Sequence, residues 1–207
     1  MKQALLIGNG EGLNWTENDV ESVGLELALR GFNTKILLNE HATVCNVRLG
    51  MIKLQRNSTP DSYSLIFYSG HADEEGLQLH DEPMPPRWFF PPLYHIQGHK
   101  AVILDSCAGG RFILERVPPQ TYILAASQEH QVAYENEEAR LGCLTNKLLD
   151  FLSRNPGRVS LEKFGNKIMP DISVNFFDRK TYQRPAQNSG HYSVQGRVKE
   201  NSDIDSS

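Results

Sequence analysis

Cys107 and His71 are the residues whose chemistry stands out first. A thiol becomes an effective nucleophile near neutral pH when a base or a pKa-lowering environment is at hand. Imidazole titrates in that range and suits the role of base. Each residue follows a compact apolar run. Ser64–Tyr68 leads into Ser69-Gly70-His71, and Ala101–Leu104 leads into Asp105-Ser106-Cys107. Gly70 lets the backbone turn sharply beside the histidine. Gly109-Gly110 would let main-chain N–H groups converge near the thiol, where they can hold the oxyanion of a tetrahedral intermediate. A cysteine alone at a strand end is most often a small buried hydrophobe. A histidine alone before a turn is most often a polar surface residue. It is the pair that points to acyl chemistry.

The elements that must position this pair are legible from hydrophobic patterning. Strands are expected at Ala4–Ile7, Thr34–Leu38, Ser64–Tyr68, Ala101–Leu104 and Tyr122–Ala126. Helices are expected over Thr16–Arg30, with Thr16 or Asn18 as cap and Val20, Val23, Leu25 and Leu27 near one apolar face, and over Thr43–Arg56, with Val44, Val47, Met51 and Leu54 inward. Further helices are expected over Arg111–Arg116, Leu144–Leu152 and Leu161–Met169, and a small hairpin around Gly76–Leu79. Pro83–Pro92 holds five prolines and predicts an irregular segment. Its Trp88-Phe89-Phe90 cluster suits packing more than a substrate groove. Strands alternating with helices predict βαβ units and a mostly parallel sheet, with chemistry collected at the carboxyl ends of its strands. The runs before His71 and Cys107, if adjacent, would present both side chains at one edge.

Composition narrows the field. The 207 residues suit one domain, read as 1–197, with a polar and disordered tail over 198–207. The balance of 21 basic and 25 acidic residues leaves a formal charge of −4 and no basic surplus for nucleic acid. Three cysteines, Cys45, Cys107 and Cys143, form neither a disulfide framework nor a zinc site and suit a reducing compartment. No run approaches a membrane span, and the apolar run after Met1 is too short for a signal peptide. The expectation is a cytoplasmic protein without membrane partners. His80, His95, His99 and His130 lack metal-ligand spacing, and no acidic run has the spacing of a calcium loop. Ser69 and Ser106 read as turn residues, and Cys143 as core.

Phe67-Tyr68-Ser69-Gly70-His71 resembles the histidine motif of caspases, paracaspases and metacaspases. Leu104-Asp105-Ser106-Cys107-Ala108-Gly109-Gly110 resembles the cysteine motif of metacaspases and paracaspases rather than the Gln-Ala-Cys of caspases proper. In register with these, Leu6-Ile7-Gly8-Asn9, Asn18-Asp19, Ala125-Ala126-Ser127-Gln128 through Tyr134-Glu135, Leu141-Gly142-Cys143-Leu144-Thr145 and Gln183-Arg184-Pro185 resemble further family segments, so the likeness runs from about residue 3 to 195. It implies an α/β three-layer caspase-haemoglobinase fold, a mostly parallel central sheet flanked by helices. It also implies a cysteine endopeptidase that needs no cofactor.

The same resemblance assigns roles. His71 and Cys107 form the dyad, and backbone N–H groups of Cys107 and around Gly70 and Ala72 hold the oxyanion. The family has glycine where this chain has Ala72, which keeps the N–H but not glycine's backbone freedom. Asp19, Asp105 and Glu135 fall where the family places an acidic pocket for the residue before the cut, so cleavage after Arg, and less so Lys, is expected, since a guanidinium pairs with carboxylates in two-pronged fashion. Without a family context Asp19 would read as a helix N-terminal charge and Glu135 as a solvated loop charge. Arg140 lies in the loop where family members are often processed, which suggests self-cleavage there. The expected partners are protein substrates and a separately encoded activator, since no recruitment module precedes the likeness. Two rivals remain open at this point: a caspase-like scaffold without activity, which intact His71 and Cys107 argue against and Ala72 argues for, and an unrelated α/β fold using Cys107 in another acyl transfer.

Overall fold

Four of the five apolar runs are buried on both faces, the condition for a parallel sheet, while Thr34–Leu38 lies at the edge and is largely exposed. In the computed structural model, which describes residues 1–107, 112, 117–127, 133, 135–156 and 164, five strands form one parallel sheet: β1 (Lys2–Asn9), β2 (Asn33–Leu38), β3 (Tyr63–Gly70), β6 (His99–Asp105) and β7 (Thr121–Ala125), in the order β2-β1-β3-β6-β7. The period-two alternation of strand side chains divides the core into two layers. Leu5 and Ile7 of β1, Ile66 and Tyr68 of β3, and Val102 and Leu104 of β6 face helices α2 (Val44–Arg56) and α3 (Pro86–Leu93). Ala4, Leu6, Leu65, Phe67 and Ile103 face α1 (Thr16–Leu29) and α4 (Cys143–Arg154). The result is the expected three-layer α/β fold.

Two short antiparallel pairs complete the described residues. β4 (Leu77–Gln78) pairs with β5 (Pro83–Met84), and β8 (Glu135–Asn136) with β9 (Leu141–Gly142). Thr43 caps α2 as an N-cap should, its hydroxyl accepting from the Asn46 N–H at 3.2 Å.

Three expectations need correction. Trp15, not Thr16 or Asn18, occupies the N-cap of α1, and Thr16 is already helical. Leu25 is 65% exposed; it lies off the stripe formed by Val20, Val23 and Leu27. Pro86–Leu93 is a helix rather than irregular chain. Pro86 stands at its first position, where the missing N–H has no intrahelical partner to lose. Pro91 and Pro92 fall in the last turn, so they cost two donors and stop the helix soon after. Burial of Pro86, Phe89, Phe90 and Leu93, a helical i, i+3, i+4, i+7 set, outweighs that loss. Phe89 and Phe90 pack edge-on and tilted against Phe112, whereas Trp88 is part-exposed.

Phe164 is buried against Phe151. The helix expected over Arg111–Arg116 apart from Phe112, the rest of that over Leu161–Met169, the Gln183-Arg184-Pro185 motif, Gly109-Gly110, Gln128, His130, Tyr134 and the tail over 198–207 lie outside the described residues. Among the described residues no helix is long and apolar enough to cross a membrane.

Candidate active site

Parallel register fixes where the segments carrying His71 and Cys107 leave the sheet. Ser69 of β3 is aligned with Asp105 of β6. His71 and Cys107 each follow two residues later, just past the carboxyl ends of adjacent strands. His71 is exposed and Cys107 half-buried. A side chain built on Gly12, in the loop after β1, would reach to 3.7 Å from His71 Nε2, so this loop flanks the imidazole. The N–H of Ala133 donates to Cys107 Sγ at 3.3 Å. Ala133 carries no sequence signal, because the contact is made by its backbone and would be available to almost any residue.

The turn at His71 is built around Tyr68. Its hydroxyl donates to the carbonyls of His71 (2.7 Å) and Gln78 (2.9 Å). The Gln78 N–H in turn donates to the His71 carbonyl at 2.9 Å. Asn9 Nδ2 donates to the Gln78 carbonyl as well, at 3.1 Å. Burial holds the Tyr68 phenol protonated, far above its usual range. Gly70, at φ +150°, leaves no space for a side chain: a Cβ there would stand 2.6 Å from Tyr68 Oη. Ala72 is buried, bridges to Leu77 and has a negative φ. The backbone freedom of the family's glycine is therefore not needed at this position.

The three acids named from sequence converge from three separate segments. Asp19 of α1 accepts from the Gly142 N–H (2.8 Å) through Oδ1 and from Ser69 Oγ (2.6 Å) through Oδ2. Asp105 Oδ2 accepts both the N–H (2.8 Å) and the hydroxyl (2.6 Å) of Thr145. Glu135 lies opposite Gly142 in the β8–β9 pair and accepts from the Trp15 N–H at 3.2 Å. Gly142 stands between them; a Cβ at this position would overlap Asp105 Oδ2 and come within 3.0 Å of Asp19 Oδ2. Burial first, then the Asp105 charge, pushes Asp19 up to about 7. Burial pushes Asp105 up to about 6, partly offset by the Thr145 hydrogen bonds.

These shifts carry a sign. A carboxyl whose pKa is raised on folding binds protons that the unfolded chain releases, so its contribution to stability is lost as pH rises through the folded value. Between the ordinary aspartate value of 3.8 and about 7, Asp19 is expected to make the protein more stable as pH falls. The melting temperature of the wild type relative to Asp19→Asn, followed from pH 8 to pH 5, should rise on acidification. A flat or falling difference would contradict the buried, crowded acid cluster.

Two sequence readings change here. Ser69 is a strand residue whose buried hydroxyl serves Asp19, rather than a turn residue. Cys143 is half-buried, not core, and the nearby Asp105 and Asp19 join burial in raising its thiol's pKa. Ser106 is buried, with no partner for its hydroxyl among the described residues. Its carbonyl accepts from Ser127 Oγ at 2.9 Å, which ties the cysteine segment to the end of β7. His80, His95 and His99 are exposed, though His99 lies on β6 and stacks on Tyr63.

No protein-family model and no curated protein sequence matches the chain. Solved structures do match its shape. Protein GSU0716 from Geobacter sulfurreducens superposes with a TM-score of 0.66 at 20% identity, over 85% of this chain and 92% of that one. Caspase-1 from Spodoptera frugiperda superposes with a TM-score of 0.64 at 14% identity, over 81% of this chain and 76% of that one. At these identities the likeness is one of fold. The unrelated-fold rival is thereby removed, and the chain has a caspase-like fold: a parallel five-stranded sheet between two layers of helices.

Proposed function

We propose that this protein is a cysteine endopeptidase of the metacaspase and paracaspase type, cutting protein substrates after arginine and, less readily, lysine. The observation that carries the reading is the convergence of Asp19, Asp105 and Glu135 on Gly142, on the same sheet edge from which His71 and Cys107 emerge. Burial first, and the charges of neighbouring acids after it, hold Asp19 and Asp105 above the usual carboxylate range. A bound guanidinium would offset those charges and draw the carboxyls back to their ionised form.

In this reading His71 takes the Cys107 proton and the thiolate attacks the carbonyl carbon. The tetrahedral oxyanion is held by the Cys107 N–H with help from the Gly70–Ala72 segment. His71 then protonates the leaving amine, and water hydrolyses the thioester. The chemistry calls for no cofactor. Control by a separately encoded activator, and self-processing after Arg140, belong to the same proposal; an Arg140→Ala protein that yields the same fragments would exclude the latter.

Fluorogenic peptides carrying Arg, Lys or Asp before the scissile bond test the reading directly. Turnover is expected in the order Arg, Lys, Asp, and abolished in Cys107→Ala. Faster cleavage after Asp would refute the acidic pocket. No turnover, with thiol-probe labelling no greater than in Cys107→Ala, would favour the inactive scaffold.

Tyr68 gives a subtler test. Tyr68→Phe removes the hydroxyl that fixes the His71 carbonyl while keeping the ring in its core layer. A stability loss of about 1 kcal/mol is expected. Because only the base is loosened, kcat should fall about tenfold with KM little changed. Steady-state kinetics separate the two; a change confined to KM would count against this role.

A further inference from the structure

The acid cluster has an aromatic neighbour, Trp15, that no motif or spacing marks. Trp15 caps α1 one turn before Asp19, and its backbone N–H donates to Glu135. Its indole nitrogen is buried and has no acceptor among the described residues. Over the ring lies the guanidinium of Arg140, with Cζ 5.6 Å from the centroid. This is within the range of a cation–π contact.

Arg140 reaches that place from an unusual backbone. Its φ is +54°, in the left-handed region that an arginine seldom adopts. Its carbonyl accepts from Asn18 Nδ2 at 3.2 Å, which fixes the residue against α1. Two residues on, Gly142 donates to Asp19. The chain's own arginine is therefore held over the ring of a tryptophan whose backbone N–H is bonded to one of the three acids. The Arg87–Trp88 contact, between sequence neighbours in α3, has no such surroundings.

We propose that Trp15 is the stacking face for the substrate's arginine, and that Arg140 occupies this face in the free protein and is displaced on binding. The inference rests on the arginine-pocket reading above and adds two things to it. It assigns a residue that selects arginine over lysine, since a planar guanidinium stacks on an indole better than an ammonium does. It also assigns an internal competitor that weakens binding until displaced.

The test reads binding rather than turnover. The chain has two tryptophans, so a ¹⁵N-labelled full-length protein carrying Cys107→Ala has two indole N–H resonances, assigned through Trp88→Phe. On titration with acetyl-arginine amide, the Trp15 resonance is expected to move and the Trp88 resonance to stay. Acetyl-lysine amide should bind more weakly. Adding Arg140→Ala should tighten arginine binding by about twofold to fivefold, the range of an exposed cation–π contact. A Trp15 resonance that does not respond, or an affinity unmoved or weakened by Arg140→Ala, overturns the inference. Cleavage after arginine by the wild type with a silent Trp15 resonance would leave the peptidase reading standing and remove this one. A responding Trp15 in a protein that cleaves nothing would do the reverse.

Discussion

Replacing Cys107 with alanine is expected to lower kcat/KM on arginine peptides by about three orders of magnitude or more, with little change in fold. The loss is large because the sulfur itself forms the bond to the substrate carbonyl; no neighbouring group replaces it. Ser69 is engaged with Asp19, and Ser106 is buried. The structural cost is small because Cys107 is only half-buried. The Ala133 N–H that now meets the sulfur can turn to water. His71→Ala should give a comparable loss, and the double variant little more than either alone, since two groups that act as a unit are not additive. The check is kcat/KM for wild type and the three variants, beside their melting temperatures. Wild-type turnover in Cys107→Ala would end the proposed mechanism.

The second large effect concerns the pocket. Asp105→Asn keeps the shape of a side chain that receives two hydrogen bonds from Thr145 and removes one of three crowded charges. Removing one partner of a buried ion pair costs about 3–5 kcal/mol, so kcat/KM for arginine peptides should fall at least about 100-fold. Stability should move the other way. Burial and like charge raise the carboxyls of Asp19 and Asp105, so the free protein at pH 8 should melt higher with Asn at 105 than with Asp. Loss of function with gain of stability is the signature of a site strained for binding. An acid with a merely structural role would lose stability and leave specificity alone. Assays with Arg and Lys peptides, beside thermal melts at pH 8, separate the two outcomes.

Opposed effects of this kind depend on contacts that the sequence does not display. The likeness in motif named Asp19, Asp105 and Glu135, but nothing in their spacing shows that Gly142 brings two of them together, or that Ser69 and Thr145 supply the hydrogen bonds that keep them ionisable. Tyr68 read as an apolar strand residue; its hydroxyl became important only when the chain after Gly70 folded back and placed two carbonyls above it. In α3 the prolines masked a sound helical pattern, because local propensity argues against a helix that burial nonetheless favours.

By itself the sequence placed the five strands of the parallel sheet and the helices α1, α2 and α4, because continuous apolar runs and i, i+3, i+4 stripes have few ways to be buried. It also placed His71 and Cys107 at strand ends, as the register of β3 and β6 now shows. Tertiary structure alone decided what surrounds them. The Ala133 N–H on the sulfur, the Tyr68 hydroxyl under the His71 turn, Gly142 between the carboxylates and Arg140 over Trp15 join residues far apart in the chain or act through the backbone. Main-chain donors and close approaches leave no side-chain pattern to read, so the folded chain is the first place where they exist.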